Sequence, residues 1–255
     1  MCGLAGFWTP SEMICDTRSR LEKMLDVINH RGPDDTGIFV DSDTSIGLSH
    51  KRLAIVDLSP AGHQPMASAC ERFVIAFNGE IYNHLELREQ LKTQNVAPNW
   101  RGHSDTETLL GCFTAWGVEK TLQATVGMFA FALWDKQEQF LTLARDRLGE
   151  KPLYWGWCGT TLLFGSELKA LKTHPDFNAD INRNALALFL RHNYIPEPYS
   201  IYDGIEKLPA GHFVQIKKGQ LRSDVVSVPY WSQKTVIEQG SKNPFVGTDS
   251  DAVDL

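Results

Sequence analysis

Cys2 stands directly behind the initiator Met1. A small second residue permits removal of that methionine, which would leave a terminal cysteine carrying both a thiol and a free α-amine. An amine with a pKa near ~7.7–8.0 can take the proton of a thiol whose pKa is about 8.5. That is a nucleophile with its base on the same residue. Taken alone, Cys2 reads equally as an incidental cysteine in a frayed terminus. The segment it opens, CGLAGFW (2–8), is apolar and glycine-punctuated, which suits a buried strand better than a solvated tail.

Other residues could serve a thiolate attacking an amide. Asn78 and Gly79 follow an apolar run at 72–77. By itself Asn-Gly favours a hairpin turn. The functional alternative is an oxyanion hole, built from the Asn78 side-chain amide and the Gly79 N–H. Arg52, in HKRLAIVD, reads alone as a snorkelling surface residue. It could instead clamp an α-carboxylate, for which a planar guanidinium suits better than an ammonium. Asp105 and Glu107 open a helix, where carboxylates favour the dipole. Asp105, with Glu80, could also receive an α-ammonium group. Together these residues describe a site for an amino acid bearing a side-chain amide, glutamine.

The elements that must position them form a mixed pattern. Leu21, Met24, Leu25 and Ile28 give a helix over 18–29, closed by the turn-rich HRGPDD (30–35). Asn83…Glu86 and Ser104…Glu107 read as capping boxes ahead of Leu85/Leu87/Leu91 and Leu109/Leu110/Phe113/Trp116. Strands are expected at 46–57 and 72–78. A meander of short aromatic-rich strands follows at 127–135, 140–145, 152–158 and 161–165. Helices recur at about 167–173 and 183–192, with a hairpin at 212–222 around Lys218-Gly219. Strands grouped in runs point to an α+β fold and away from alternating α/β. After Trp231 the chain turns polar, so 232–251 reads as a linker, and Thr248–Asp251 resembles a helix start. The expectation is a further domain downstream.

With 255 residues, 42% hydrophobic and 22% charged, the chain is an ordinary globular protein able to bury a core. Its net charge of −6 argues against nucleic acid or an anionic membrane as partner. No apolar run approaches the ~18 residues of a membrane span, and no signal peptide is visible, so the expected location is cytoplasmic. Cys2, Cys15, Cys70, Cys112 and Cys158 form neither a zinc pattern nor a disulfide framework, and Cys112 falls in a helical core pattern. The histidines lack metal-ligand spacing, so no metal is expected. The tryptophans read as packing residues. Arg145-Asp146-Arg147 reads as a solvated structural loop or a face for an absent partner domain.

Nine ordered blocks carry a resemblance: MCGLAGFW, HRGPDD, HKRLAIVDLSPAGHQPM, FNGEIYN, SDTE, GMFAFALWD, ARDRLGEKPLY, FGSELKAL and LPAGH. They resemble the N-terminal glutaminase domain of asparagine synthetases, a class II glutamine amidotransferase, over about residues 2–215. The resemblance implies the N-terminal-nucleophile hydrolase fold, a four-layer αββα sandwich of two antiparallel sheets. It implies Cys2 as nucleophile with its own amine as base, and Asn78 and Gly79 as oxyanion donors. It places the glutamine carboxylate on Arg52 and the amine on Glu80 and Asp105, with 52–56 lining the pocket and Val56 at its end. Amidotransferases making glucosamine phosphate or phosphoribosylamine share fewer blocks. Residues 216–255 would then be a terminal hairpin strand, a linker and the start of a synthetase domain. That domain's Ser-Gly-Gly-x-Asp-Ser pyrophosphate loop does not occur here. The glutaminase part would need no cofactor, ATP and Mg belonging to the synthetase part, which would be covalently linked in the native chain. The expected reaction is hydrolysis of L-glutamine to glutamate and ammonia, the ammonia serving asparagine synthesis from aspartate. Alternatives are a non-aspartate acceptor in surface-polysaccharide synthesis, a non-catalytic glutamine-sensing module, and a redox-sensing Cys2. The family also makes a homodimer one expected assembly.

Overall fold

The structure, a computed structural model, describes residues 1–10, 16–220 and 222–253. Cys15 and Leu255 lie outside the described residues. The chain begins with β1 (Gly3–Trp8), α1 (Thr17–Asp26), β2 (Asp35–Asp41) and β3 (Ile46–Arg52). It continues through β4 (Met66–Ala67), β5 (Phe73–Ile81), α2 (His84–Thr93), α3 (Asp105–Trp116) and α4 (Val118–Ala124). Then come β6 (Gly127–Asp135), β7 (Phe140–Arg145), β8 (Tyr154–Cys158), β9 (Thr161–Gly165), α5 (Leu168–Lys172) and α6 (Arg183–His192). The last elements are β10 (Ile205–Lys207), β11 (His212–Lys217), β12 (Val228–Pro229), α7 (Gln233–Lys242) and α8 (Asp249–Val253).

The strands form two six-stranded sheets, ordered β10-β8-β9-β1-β3-β2 and β12-β11-β7-β6-β5-β4. Every strand pair in them is antiparallel. Their inner faces share one core, in which Leu4, Trp8, Ile46 and Leu48 of the first sheet meet Val74, Ala76, Ala132 and Trp134 of the second. The outer face of the first sheet packs Ala5, Phe7 and Leu163 against Leu21, Met24 and Leu25 of α1 and Ala170 and Leu171 of α5. The outer face of the second packs Ile75, Phe77 and Phe131 against Leu87 of α2, Leu109 and Phe113 of α3 and Leu122 of α4. This is the expected four-layer αββα sandwich. Trp8 and Trp134 meet edge to face with ring centroids 5.2 Å apart, joining the two sheets. Such a pair adds about 0.5–1.5 kcal/mol beyond its burial.

Because side chains alternate along a strand, the inner face can be extended toward the strand ends. Leu4 and Trp8 point inward, so Cys2 does; Ile46 and Leu48 point inward, so His50 and Arg52 do. Val74 and Ala76 likewise place Asn78 and Glu80 on the inner face. Cys2, Arg52, Asn78 and Glu80 thus continue the inter-sheet core at one end of the sandwich.

Several local expectations are corrected. Asn78-Gly79 is not a hairpin turn; it lies within β5, paired in register with Ala130 and Phe129 of β6. The strand expected over 46–57 stops at Arg52, because the following residues leave the ladder and line the cleft described below. Ser104 caps α3 by accepting from Thr106 N–H, but Glu107 does not close a capping box: it binds the N–H groups of Arg101 and Gly102. Asn83 makes no cap bond; its amide joins Ala124 O and Val126 N–H, tying α2 to the loop before β6. The expected hairpin after β11 turns at Gly219 but returns late, as β12 beside His212 and Phe213. Within the stretch read as a linker stands α7, with none of its residues buried.

Arg145-Asp146-Arg147 is not a solvated loop. The Asp146 carboxylate is fully buried and accepts N–H bonds from Phe129, Leu148, Glu150 and Lys151. Arg145 donates to the carbonyls of Gly149, Lys151 and Leu208. Cys112 is buried as expected, and burial pushes its thiol up to about 12. Trp8, Trp134 and Trp155 are buried, and Trp157 and Trp231 are packed partly against the cores. Among the described residues no helix is long and apolar enough to cross a membrane.

Candidate active site

A cleft of about 140 Å³ opens at the end of the inter-sheet layer. Cys2, Arg52, Val56, Asn78, Gly79, Glu80 and Asp105 all line it, joined by Gln64, Thr106, Met128 and Lys151. Seven residues spread over a hundred positions of sequence thus share one space.

Cys2 is half-buried just ahead of β1. Its Sγ lies 3.4 Å from Leu53 N and 3.5 Å from Leu53 O, at the first residue beyond β3. Burial pushes the thiol pKa up, opposed by the Leu53 backbone, the amino-terminal charge and Arg52. A resting thiol of this kind is protonated at neutral pH, so its attack needs a base. The Cys2 backbone is held from the other side: Arg31 Nε donates to Cys2 O at 2.8 Å, and Arg31 Nη1 is anchored on Glu167 at 2.9 Å. Arg31 sits in the HRGPDD block, which the sequence marks as a turn and a family block without giving Arg31 a role.

The alternation of the β5–β6 ladder decides where the donors of β5 point. Tyr82 N–H reaches Val126 O, so the even-numbered residues of β5 face β6 and the odd-numbered ones face the other edge. On that edge β4 pairs only with Val74 and Ile75. Beyond them Phe77 N–H ends on Gln64 Oε1 at 2.7 Å and Ile81 N–H on Asp105 Oδ2 at 2.9 Å. Gly79 N–H falls between these two and faces the cleft. Asn78 supplies the second donor: it is 1% exposed, and its Nδ2 has no hydrogen-bond partner among the described residues. An unpaired buried donor costs about 1–3 kcal/mol. Gly79 must be glycine for a backbone reason, since a Cβ there would lie 2.2 Å from Met128 O.

Arg52 sits beneath the loop that follows β3. Its Nη2 donates to Asp57 O and its Nη1 to Ser59 O at 3.2 Å. Gly62 closes over it so tightly that a Cβ would stand 2.0 Å from Nη2. Asp57 fixes the loop from the far side, accepting from Ser59 N–H and from His103 N–H at 3.1 Å. The Ser59 side chain comes first among the causes that hold its carboxyl below the usual range, ahead of the two N–H bonds. Val56 is exposed on the cleft's rim.

Asp105, the first residue of α3, is buried; burial pushes its carboxyl up, against the N–H bonds of Ile81 and Thr106. Glu80 lines the same wall. Among the described residues no cluster of three or more His, Cys, Asp or Glu side chains could hold a metal ion.

A half-buried cysteine at the head of the first strand, an unpartnered amide donor, an arginine and two carboxylates thus share one cleft at the end of an αββα sandwich. A family model described as a glutamine amidotransferase domain matches residues 1–231, and the chain belongs to that family. It is 35% identical over 267 residues to a putative asparagine synthetase [glutamine-hydrolyzing] 2 of Methanocaldococcus jannaschii, covering 95% of this chain and 50% of that protein. It is also 35% identical over 229 residues to asparagine synthetase [glutamine-hydrolyzing] 3 of Bacillus subtilis, covering 87% of this chain and 36% of that one. The chain therefore spans half or less of the length of these relatives. Among solved structures, glutamine phosphoribosylpyrophosphate amidotransferase from B. subtilis, complexed with ADP and GMP, matches with a TM-score of 0.63 at 18% identity. That match covers 91% of this chain and 50% of the other. At that identity the likeness bears on the fold, which is the one expected from the sequence.

Proposed function

We propose that the chain hydrolyses L-glutamine to glutamate and ammonia through a thioester on Cys2. The observation that carries this reading is the unpartnered, buried Nδ2 of Asn78, lining the cleft shared with Cys2 and Gly79. Removal of Met1 frees the Cys2 nitrogen as an amine. Arg52 receives the glutamine carboxylate, and Asp105 with Glu80 receives its ammonium. Binding at both ends fixes the side-chain amide beside Sγ and removes the entropic cost of encounter from the chemical step.

The amine takes the thiol proton as sulfur bonds to the amide carbon, and the carbonyl electrons move to oxygen. Asn78 Nδ2 and Gly79 N–H hold that oxyanion, each worth about 2.7–4 kcal/mol in systems of this kind. Collapse breaks the C–N bond, and the amine returns the proton to the departing ammonia. Water, deprotonated by the same amine, then attacks the thioester and releases glutamate and the free thiol. We place ATP and Mg chemistry outside this chain, in a synthetase half of the kind the relatives' names describe, with asparagine formed from aspartate as the outcome.

The test is ammonia release from glutamine by the chain beside Cys2→Ala. The expected result is turnover in the parent, none above background in the variant, and a glutamyl adduct on Cys2 in intact-mass spectra of quenched reactions. Equal rates in both proteins refute the proposal.

A further inference from the structure

Past Ile75 the open edge of β5 has no strand beside it among the described residues, and the groups of Phe77 and Ile81 there are taken one at a time by side chains. Both backbone groups of Phe77 are captured. Its N–H goes to Gln64 Oε1 at 2.7 Å, and its carbonyl is bound by His50 Nε2 at 2.8 Å. A carbonyl only accepts, so His50 carries its proton on Nε2. Its buried Nδ1 has no partner among the described residues, and burial drives the ring pKa down to about 4, which keeps it in that neutral form.

His50 stands on β3, opposite Leu4 of β1, so its bond to Phe77 O crosses from the nucleophile's sheet to the oxyanion strand. Gln64 is also buried, and its remaining group continues the chain of contacts. Gln64 Nε2 donates to Thr106 Oγ1 at 3.3 Å, and Thr106 Oγ1 reaches Asp105 Oδ1 at 3.5 Å. Asp105 in turn takes Ile81 N–H. Phe77 and Ile81, the two odd residues flanking Gly79, are therefore pinned from outside the sheet.

We propose that Gln64 and His50 are positioning residues for the oxyanion hole: by occupying both backbone groups of Phe77 they fix the edge of β5 and leave Gly79 N–H as its one donor facing substrate. This rests on the glutaminase reading and deepens it. Neither side chain needs to touch the reacting atoms. Freed from Gln64, Phe77 N–H becomes a competing donor two residues away on the same edge. Freed from His50, the strand loses its direct tie to the sheet that carries Cys2. Either change loosens donors whose worth depends on being aimed before charge develops. Asp105 keeps its own bonds to Ile81 N–H and Thr106 N–H in either case, so the group proposed to receive the α-ammonium stays in place.

The test compares the parent with Gln64→Met, which keeps length and loses both bonds, and with His50→Leu. Gln64→Asn and His50→Gln retain polar groups and serve if the first pair fails to fold. Each is assayed for kcat and KM with glutamine, for binding of glutamate, and for binding of glutamate γ-semialdehyde. The aldehyde forms a tetrahedral adduct with a thiol: sulfur bonds to the carbonyl carbon, the C=O π bond breaks, and the thiol proton ends on the oxygen. That oxygen occupies the position of the reaction's oxyanion, so its affinity reports the alignment of the hole.

The expected result is a fall in kcat of about 10–100-fold with KM within about threefold, roughly one donor's loss spread over an imperfect aim. Semialdehyde affinity should fall in parallel while glutamate affinity holds, and His50→Gln should recover part of the loss in His50→Leu. If the variants lose semialdehyde and glutamate affinity equally, or lose neither, the inference is overturned. A parent that releases no ammonia instead overturns the functional reading, a separate outcome.

Discussion

Replacing Asn78 by leucine separates what the residue does for the fold from what it does for the reaction. In the resting chain Asn78 Nδ2 is buried without a partner, a condition that costs about 1–3 kcal/mol. Leucine branches at the same atom and carries no polar group, so the substitution removes that cost. Its slightly different shape gives back about 1 kcal/mol in a site bordering a cleft. The net expectation is a gain of about 0–2 kcal/mol. In a domain of this size 1 kcal/mol moves Tm by about 2–4 °C, so Tm should rise by up to several degrees. Turnover should move the other way. Loss of one oxyanion donor lowers kcat by about 10²–10³, with KM little changed, because the bond strengthens only as the carbonyl oxygen acquires charge. Ammonia release under saturating glutamine gives kcat, and calorimetry on the same preparations gives Tm. A variant that turns over within a few-fold of the parent refutes the role given to Asn78. One that loses activity together with several degrees of Tm refutes the claim that the orphaned donor is held against the fold's own interest.

Two further outcomes follow from individual contacts. Gly62→Ala places a Cβ 2.0 Å from Arg52 Nη2, so the guanidinium must leave its carbonyls at Asp57 and Ser59. With charge-assisted bonds worth about 1.5–3 kcal/mol, KM for glutamine should rise about 10–100-fold. Hydrolysis of 4-aminobutyramide, which lacks the carboxylate, should change little, and equal losses on both substrates refute the assignment of Arg52. His50 is fully buried with its pKa lowered from 6.5 to about 4 by burial; Arg52 and His63 lower it too, and Asp35 opposes them. A depressed folded value means that the unfolded chain binds the proton first, so stability is full above about pH 6.5 and falls as pH drops toward 4. The drop amounts to about 3 kcal/mol if His50 acts alone. Urea unfolding of the parent across that window should show this slope, and His50→Gln should flatten it; an unchanged slope places the acid sensitivity elsewhere, with buried His174 the next group to try.

How much of this could be read from the residues alone depends on whether a residue's role follows from its own strand or from its neighbours in space. Cys2, Arg52, Asn78 and Asp105 each had a plainer reading alone; they and Glu80 were legible as a set of complementary groups and through the ordered blocks in which they stand. The period-2 pattern held more than was taken from it: positions 2, 4 and 8, then 46, 48, 50 and 52, then 74, 76, 78 and 80, already form one inward stripe. Extending that stripe would have placed His50 beside Arg52 and removed the hairpin reading of Asn78-Gly79. Arg31, Gln64, Asp57 and Asp146 were not legible in this way. Each satisfies backbone groups far away in sequence, at edges and turns whose existence depends on the sheet order, and a polar residue in a turn-rich segment looks the same whether it meets water or a buried amide.

That division bears on how the site is built. The groups proposed to meet glutamine are few and lie where the inner core runs out, so the strands aim them with the same alternation that packs Trp8 on Trp134. The groups that hold them are hydrogen-bonding side chains placed where the ladders stop: Arg31 on Cys2 O, Asp57 on the loop over Arg52, and Gln64 and His50 on Phe77. A sheet can supply direction but cannot leave one chosen N–H free while binding its neighbours on the same edge, because a neighbouring strand would take all of them. Starting β4 only at Met66, opposite Ile75, and handing Phe77 and Ile81 to side chains achieves that selection. On this argument the short length of β4 is a requirement of the chemistry: pairing continued along β5 to Gly79 would satisfy the strand and leave a developing oxyanion with Asn78 alone.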